Sequence, residues 1–311
     1  MFIRTMTIGN YLRLLLFTLL GSTACAAGTF RVATYNVENY LDQPTESRHF
    51  VKSAEAKAKI RESIRALQPD LLALEEMGTT NALLELRASL KADGLDLPFW
   101  EHVTGADTNI HVAVLSKFPI VARHPHTNEN FLLDGHRCKV SRGFVEVKIQ
   151  AAPDFTFTLF VAHLKSRRPV PQVDEAEQRL AEANVLRGIV DAHFQADSNA
   201  RLIVLGDFND VQNSPSTKAL IERGKFKLTD TRPAERNGDN TPNPNPHYEP
   251  RNITWTHYYG VEDSFARIDY ILISPALVKN WLKQDTYVAT IPNWGIGSDH
   301  RPIVATFSTE N

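Results

Sequence analysis

Leu202-Ile203-Val204-Leu205-Gly206-Asp207-Phe208-Asn209-Asp210 sets the plan of this 311-residue chain. Four apolar residues in a row read as a strand buried on both faces, and the run stops at a glycine followed by a carboxylate, an aromatic and an amide. The polar groups are therefore delivered at the end of the strand. Alternation along an extended backbone predicts that Asp207 and Asn209 share one side while Phe208 turns into the core. A carboxylate and an amide paired in this way suit a water held beside a divalent cation. The same residue types also cap helices, so this stretch alone leaves both uses open.

Other predicted strands, before and after it, end in the same manner. Phe30 to Tyr35 runs into Asn36-Val37-Glu38-Asn39, and the apolar run Leu71 to Leu74 stops at Glu75-Glu76. A period of two puts Glu76 on the face of Leu72 and Leu74, which does not by itself choose between the two acids. Phe144 to Ile149 and Phe155 to Val161 read as a hairpin across Ala151-Ala152-Pro153-Asp154, and its second strand leads to His163-Leu164-Lys165-Ser166. Phe265 to Ile273 carries one acid, Asp269, inside an apolar run, and a buried acid demands a partner. Ser298-Asp299-His300 precedes a closing strand, Ile303 to Phe307. Helical patterns over 52–67, 81–92, 173–194 and 216–223 alternate with these strands, the last stopping at Gly224, while the hairpin argues against a purely parallel sheet. His124, His126 and His136 lie in a polar segment, 123–139, at spacings that fit no compact zinc site, and read as solvated loop residues. Thr231 to Pro250 is a long aperiodic loop, the kind of segment that often binds ligands.

Hydrophobic content of 42% and charged content of 23% are those of a soluble globular protein long enough to bury a large core. The N-terminus has the three parts of a secretory signal: Arg4 and Arg13, the apolar segment Leu14 to Leu20, and small residues ending at Ala24-Cys25-Ala26-Ala27. The expected product is an exported single domain, 28–311, periplasmic or secreted and monomeric, with no membrane span. Cys25 permits a lipoprotein reading, against which Ser22 stands as a poor residue three places before it. Removing residues 1–27 takes away two arginines and no acids, so the formal net charge moves from −2 to −4. Such a surface is no general polyanion binder, and any nucleic-acid contact must be local. Cys138 is the one cysteine left, which excludes an internal disulfide.

Taken together, the strand ends resemble the endonuclease/exonuclease/phosphatase superfamily, the group of deoxyribonuclease I, exonuclease III-type repair nucleases, neutral sphingomyelinases and inositol-phosphate 5-phosphatases. The resemblance rests on Tyr35-Asn36-Val37-Glu38, Leu74-Glu75-Glu76, Ser141-Arg142, His163-Leu164-Lys165-Ser166, Gly206-Asp207-Phe208-Asn209, Arg267-Ile268-Asp269-Tyr270 and Ser298-Asp299-His300, in the family's order. It implies an α/β fold of four layers, α/β/β/α, with two mixed sheets packed face to face and the active site at one end. It also implies roles. Glu76 and Asn36 match the metal ligands, with Asp299 binding through water; an oxygen shell of this kind suits Mg²⁺, with Mn²⁺ or Ca²⁺ as substitutes. Asp207 would orient or deprotonate the attacking water, and Asn209 would fix it or hold a phosphate oxygen. His300 resembles the histidine on the scissile phosphate, with Asp269 holding its ring. His163 resembles the second histidine of the deoxyribonuclease-like branch, an acid for the leaving oxygen or a further phosphate donor, and Arg142 matches an arginine that binds phosphate oxygens. Glu38 stands where many relatives have Asp; Asp107 and His111 lie at positions that vary between branches and receive no role.

The function expected first is a metal-dependent phosphodiesterase acting on nucleic acid. Arg137, Lys139, Arg142, Lys165, Arg167 and Arg168 would line a phosphate track, and Trp255, His257, Tyr258 and Tyr259 would stack on bases or ribose. The alternative is the same chemistry on a sphingomyelin-type lipid, a phosphoinositide or a small organic phosphate. A lipid substrate calls for an exposed apolar hairpin, for which Ile291 to Ile296 is the candidate. A non-catalytic binding module is hard to motivate with every polar group of the set present.

Overall fold

The computed structural model describes residues 28–169, 173–221, 226–238 and 241–310. The expected leader over 1–27, the alternative anchor at Cys25 and the helix stop at Gly224 lie outside the described residues. In chain order the elements are β1 (Thr29–Tyr40), α1 (Ala54–Leu67), β2 (Leu71–Met77), α2 (Thr80–Ala92), β3 (Phe99–Val103), β4 (His111–Ser116), β5 (Ile120–Arg123), β6 (Asn130–Leu133), β7 (His136–Lys139), β8 (Phe144–Ala152) and β9 (Phe155–His163). Then come α3 (Glu175–Ala196), β10 (Leu202–Asp207), α4 (Pro215–Ile221), β11 (Thr229–Asp230), β12 (His257–Tyr259), β13 (Ser264–Ala266), β14 (Asp269–Ile273), β15 (Trp281–Val288) and β16 (Ile303–Ser308).

Two six-stranded sheets result, in the orders β15-β16-β1-β2-β4-β3 and β11-β14-β10-β9-β8-β5. Each is mixed: β1 runs parallel to β2 and β9 parallel to β10, while the other pairs are antiparallel. The alternation of side chains along each strand builds the layers. Val32, Leu71, Ala73, Val112 and Val114 of the first sheet meet Val145, Leu159, Val161, Ile203, Leu205 and Ile271 of the second in the central core. The opposite face of the first sheet packs Leu72, Leu74 and Leu115 against Ile60 and Ile64 of α1 and Leu83 and Leu86 of α2. The opposite face of the second packs Leu202 and Val204 against Leu186 and Val190 of α3 and Leu220 of α4. This is the four-layer α/β/β/α sandwich, and it explains why β10 is apolar without interruption: both of its faces are buried. The helices start where side chains satisfy their first free N–H groups, Ser53 accepting from Ala56 N, Thr79 from Asn81 N, and Asp174 from Ala176 N and Glu177 N.

Three expectations need correcting, and one strand was not anticipated. The polar segment 123–139 is not a loop throughout, since it contains the β6–β7 hairpin. His126 in it is not solvated: its Nδ1 lies 2.9 Å from Glu129 Oε1 and its Nε2 2.8 Å from Glu146 Oε2. The strand expected over 265–273 is two, β13 and β14, parted at Arg267-Ile268. Finally, β15 has too mixed a pattern, with Lys283, Gln284 and Asp285 exposed, to be read from periodicity.

The His126 anchor gives a pH-dependent prediction. Burial works against the charged ring, but the Glu146 and Glu129 carboxylates overcome it and raise its pKa; burial likewise opposes charge on Glu146, and His126 and His193 bring it down to about 2. The raised imidazole contributes stability below its unfolded pKa of 6.5 that is lost as pH rises through the folded value. The depressed carboxylate contributes above 4.5, lost as pH falls through about 2. His126→Ala should therefore destabilise by about 2 kcal/mol at mildly acid pH and by less in alkali, read from denaturant midpoints at both.

Candidate active site

The site forms where the central apolar layer runs out at one end of the sandwich. Asp207 pairs in register with His163 on its β9 side and with Asp269 on its β14 side, so three polar residues occupy one rung of the second sheet. Each shares the inward face of its strand with core residues: Asp207 with Leu205, His163 with Val161, Asp269 with Ile271. On the first sheet, Asn36 and Thr34 continue the face of Val32, and Glu75 continues that of Leu71 and Ala73. Sequence alternation in the apolar core thus sets the positions of the polar rim.

Hydrogen bonds then bind the two sheets across this rim. Asn36 Nδ2 donates to Asp207 Oδ2 at 3.0 Å. His163 Nε2 lies 3.5 Å and His300 Nε2 3.7 Å from the same oxygen. The partner that buried Asp269 demands is His300, whose Nδ1 stands 2.9 Å from Asp269 Oδ2. Ser298 fixes the approach of this loop by donating to Asn36 O at 2.7 Å while accepting from His300 N at 3.0 Å. Asn209 reaches Asp207 by a different route from the one expected. The strand ends at Asp207, Asn209 adopts a left-handed φ of 54°, and its backbone N donates to Asp207 Oδ1 at 2.8 Å. A turn, not the pleat, brings the two side chains together, and Phe208 is buried in the core against Tyr270 as expected.

Gly206 makes the rung possible. At φ +128° a Cβ would collide with Ala162 O and lie 3.1 Å from Glu75 Oε1. Gly206→Ala should cost about 3 kcal/mol, seen as a lowered denaturant midpoint, because backbone and not a flexible side chain would have to move.

The charges at the rim are strongly perturbed. Burial disfavours the imidazolium of His300, yet Asp269 and Asp207 raise its pKa well above the usual range. Burial and the neighbouring Asp269 push Asp207 up to about 6, against the pull of His300. Burial holds His163 well below its ordinary value, and the cations of Arg142, His300, Arg48 and Lys165 add to this. One histidine is a charged donor and the other is neutral.

Glu75 and Glu76, adjacent in sequence, diverge at a bulge. Glu76 sits at a φ of 59° and its Oε2 accepts from Asn39 N at 3.0 Å. Glu75 is fully buried, accepts from Thr34 Oγ1 at 2.8 Å, and its pKa is raised well above normal by burial and by Asp269. It is therefore a neutral acid beneath the site, a role that its type alone did not signal. The bulge is what parity could not show.

The oxygen donors expected to hold a metal lie on the first-sheet side of the rim. The Glu38 carboxyl is raised by partial burial and by Asp299 and Glu76, with Lys52 Nζ 3.5 Å away as a counter-charge. Acids gathered this closely around the end of β1 are a chemically fitting set for a hard divalent cation. Among the described residues, two sets of three His, Asp or Glu residues offer ligand atoms within 4.8 Å of one another, Asp207/Asp269/His300 and His257/Asp299/His300.

The cations around His163 are placed differently from the expected open track. Arg142 is buried, donating from Nη1 to Leu164 O at 3.2 Å, with its Nε 3.5 Å from Asp107. Lys165 is buried and donates to the carbonyls of Ser166 and Arg168; Arg167 pairs with Asp210 and Arg137 bonds Asn130. Arg48, to which the sequence patterns give no prominence, is among the cations acting on His163, and its Nε is buried with no hydrogen-bond partner among the described residues. The aromatic set also divides. Trp255 packs against Arg301, Trp294 and Phe265, and the His257 ring lies 4.6 Å from that of His300. What the β12–β13 hairpin exposes is Tyr259, Val261 and Phe265.

A family model described as the Endonuclease/Exonuclease/phosphatase family matches residues 33–300. The chain belongs to this family. Members are phosphoester hydrolases, which is the coarse activity assigned here. No curated protein matches the sequence. Among solved structures, beta toxin 275-280 from Staphylococcus aureus superposes with a TM-score of 0.62 at 18% identity, covering 89% of this chain and 99% of that one. The human Nocturnin catalytic domain with bound sulfate gives 0.59 at 17% identity, covering 90% and 94%. The 3′ phosphatase NExo from Neisseria, bound to a product DNA hairpin, gives 0.55 at 18% identity, covering 89% and 99%. At such identities these likenesses establish the family's fold and leave the substrate to the site itself.

Proposed function

We propose that this chain is an exported, divalent-metal-dependent phosphodiesterase that hydrolyses DNA or RNA by in-line attack of a water activated by Asp207. The observation that carries the reading is the rim itself, where a buried carboxylate with a pKa near neutrality faces a buried imidazolium across 3.7 Å. A group of that kind takes a proton from water, and its neighbour donates to the phosphoryl oxygens as charge builds on them.

Each residue then has a task. Asp207 takes the proton, while Asn209 and Asn36 fix its carboxylate through its two oxygens. His300, oriented by Asp269, donates from Nε2 to a non-bridging oxygen. His163, neutral in the resting site, donates an N–H to the phosphate or the leaving oxygen. Arg142 and Arg48 supply positive charge around His163. Asn36, Glu76 and Asp299 would hold Mg²⁺, for which Mn²⁺ or Ca²⁺ would substitute. Such an ion, when bound, withdraws charge from the phosphoryl group.

Nucleic acid is favoured by local cations in an otherwise acidic chain, by Tyr259 at the rim, and by a fold neighbour that holds a DNA hairpin. A second reading, a phosphoester lipid, is favoured by the β12–β13 hairpin, where Val261 is 82% and Phe265 55% exposed. No helix among the described residues is long and apolar enough to cross a membrane, so docking of this kind would be peripheral.

The test incubates the mature protein with supercoiled plasmid, linear DNA, RNA, sphingomyelin vesicles and a small synthetic phosphodiester, each with Mg²⁺ or EDTA. Turnover of plasmid or RNA that EDTA abolishes is expected; turnover confined to vesicles would install the second reading. Export is tested separately by N-terminal sequencing of protein recovered outside the cytoplasm. A chain beginning at Gly28 is expected, and one retaining Met1 would exclude cleavage.

A further inference from the structure

His257 stands in the site without a task in hydrolysis. Its backbone bridges to His300, and two main-chain bonds, Tyr258 N to Asp299 O at 3.0 Å and Arg301 N to Thr256 O at 2.6 Å, lock the β12 strand alongside residues 299–301. Its Nε2 lies 3.6 Å from Asp299 Oδ2, and His300 Nε2 lies 3.9 Å from Asp299 Oδ1. Charge-assisted hydrogen bonds close to about 2.7–2.9 Å. The three groups therefore do not pair off in that way. Their donor atoms all lie within 4.8 Å of one another, close enough to share one ion. Ligands held about 2.0–2.1 Å from a tetrahedral ion lie roughly 3.4 Å apart, so a small inward adjustment completes a site.

We propose that His257 Nε2, a carboxylate oxygen of Asp299 and His300 Nε2 form a transition-metal site that takes Zn²⁺ in preference to Mg²⁺ and whose occupation inhibits the enzyme. Two imidazoles and one carboxylate are the donor set that zinc takes and magnesium declines. Asp269, 2.9 Å from His300 Nδ1, supplies the carboxylate that orients a ligating imidazole and fixes which nitrogen carries the lone pair. The Asp299 side chain is 42% exposed, which leaves an entry path and room for a water as fourth ligand. Inhibition follows from the geometry, because an Nε2 lone pair given to a metal leaves no N–H there for a phosphate.

The binding claim needs no substrate, whereas the inhibition rests on the hydrolytic reading above, and the test separates the two. Calorimetric titration of the protein with Zn²⁺ in the presence of Mg²⁺ should show one site, and Co²⁺ in its place should give the visible absorption of a low-coordinate ion. His257→Ala and the conservative His257→Gln, checked for folding by thermal melting, should each weaken Zn²⁺ binding by about tenfold or more. Each should raise the half-inhibitory Zn²⁺ concentration for Mg²⁺-supported hydrolysis by the same factor, relative to the variant's own zinc-free rate. Zinc binding unchanged in both variants, or lost only with Asp207, overturns the site. Zinc binding that depends on His257 in a protein with no turnover upholds the site and removes the hydrolytic reading instead.

Discussion

Asp207→Asn is expected to lower phosphodiester turnover by about 10³-fold, the scale of a lost general base, while leaving stability unchanged or raised. The second half of that statement separates catalysis from structure. Asp207 is held ionisable at a buried position beside Asp269, with a pKa pushed up to about 6. The folded protein tolerates this charge; it does not profit from it. An amide in its place keeps the acceptor for Asn209 N and removes the repulsion from Asp269, while its NH2 replaces the oxygen that accepts from Asn36 Nδ2 at 3.0 Å, so the gain and the lost hydrogen bond offset each other. The same group sets the acid limb of the rate profile. Asp207 works as the carboxylate, so the rate rises with pH through about 6, and the limb disappears along with the activity in the variant. A variant of normal melting temperature and near-normal rate would remove Asp207 from the mechanism.

His300→Ala is expected to cost on the order of 10²-fold or more in rate, because it deletes a buried cationic donor aimed at the phosphate. The charge on this ring is imposed by its surroundings. Burial alone would strip the proton, and the carboxylates of Asp269 and Asp207 retain it. Activity that needs the imidazolium persists below its raised pKa and is lost as pH rises through it. Asp269→Asn removes the larger of the two carboxylate influences on His300, so the alkaline limb should move to lower pH, and the acid limb should move down with it because Asp269 also raises Asp207. A pH profile of kcat on a chromogenic diester reads both limbs at once. An alkaline limb unmoved by Asp269→Asn would mean that another group carries it.

The fold was legible because the apolar patterning is strict. Ile203 and Leu205 enter one core while Leu202 and Val204 enter another, and the interval before Asp207 fixes where the polar rim must lie. Asp269 was legible by contradiction, as an acid inside an apolar strand whose partner proved to be His300. Side-chain periodicity fails wherever the backbone leaves its regular path. Asn209 and Glu76 both sit at positive φ, so their directions come from a turn and a bulge instead of a pleat. Positive charge misled for a related reason. Arg142 and Lys165 read as surface cations, but they are buried against carbonyl oxygens, which composition does not disclose. Arg48 carried no local signal and His257 read only as a stacking ring, because each reaches the rim through contacts distant in sequence.

One rim, built from the ends of both sheets, holds the carboxylates proposed to hydrolyse a phosphodiester, and every assignment above depends on it. The decisive measurement is nicking of supercoiled plasmid in Mg²⁺ by the double variant Glu76→Gln, Asp207→Asn, at matched melting temperature. A rate at the level of buffer alone is expected. Nicking at the rate of the unmodified protein would contradict the assignment of hydrolysis to this rim.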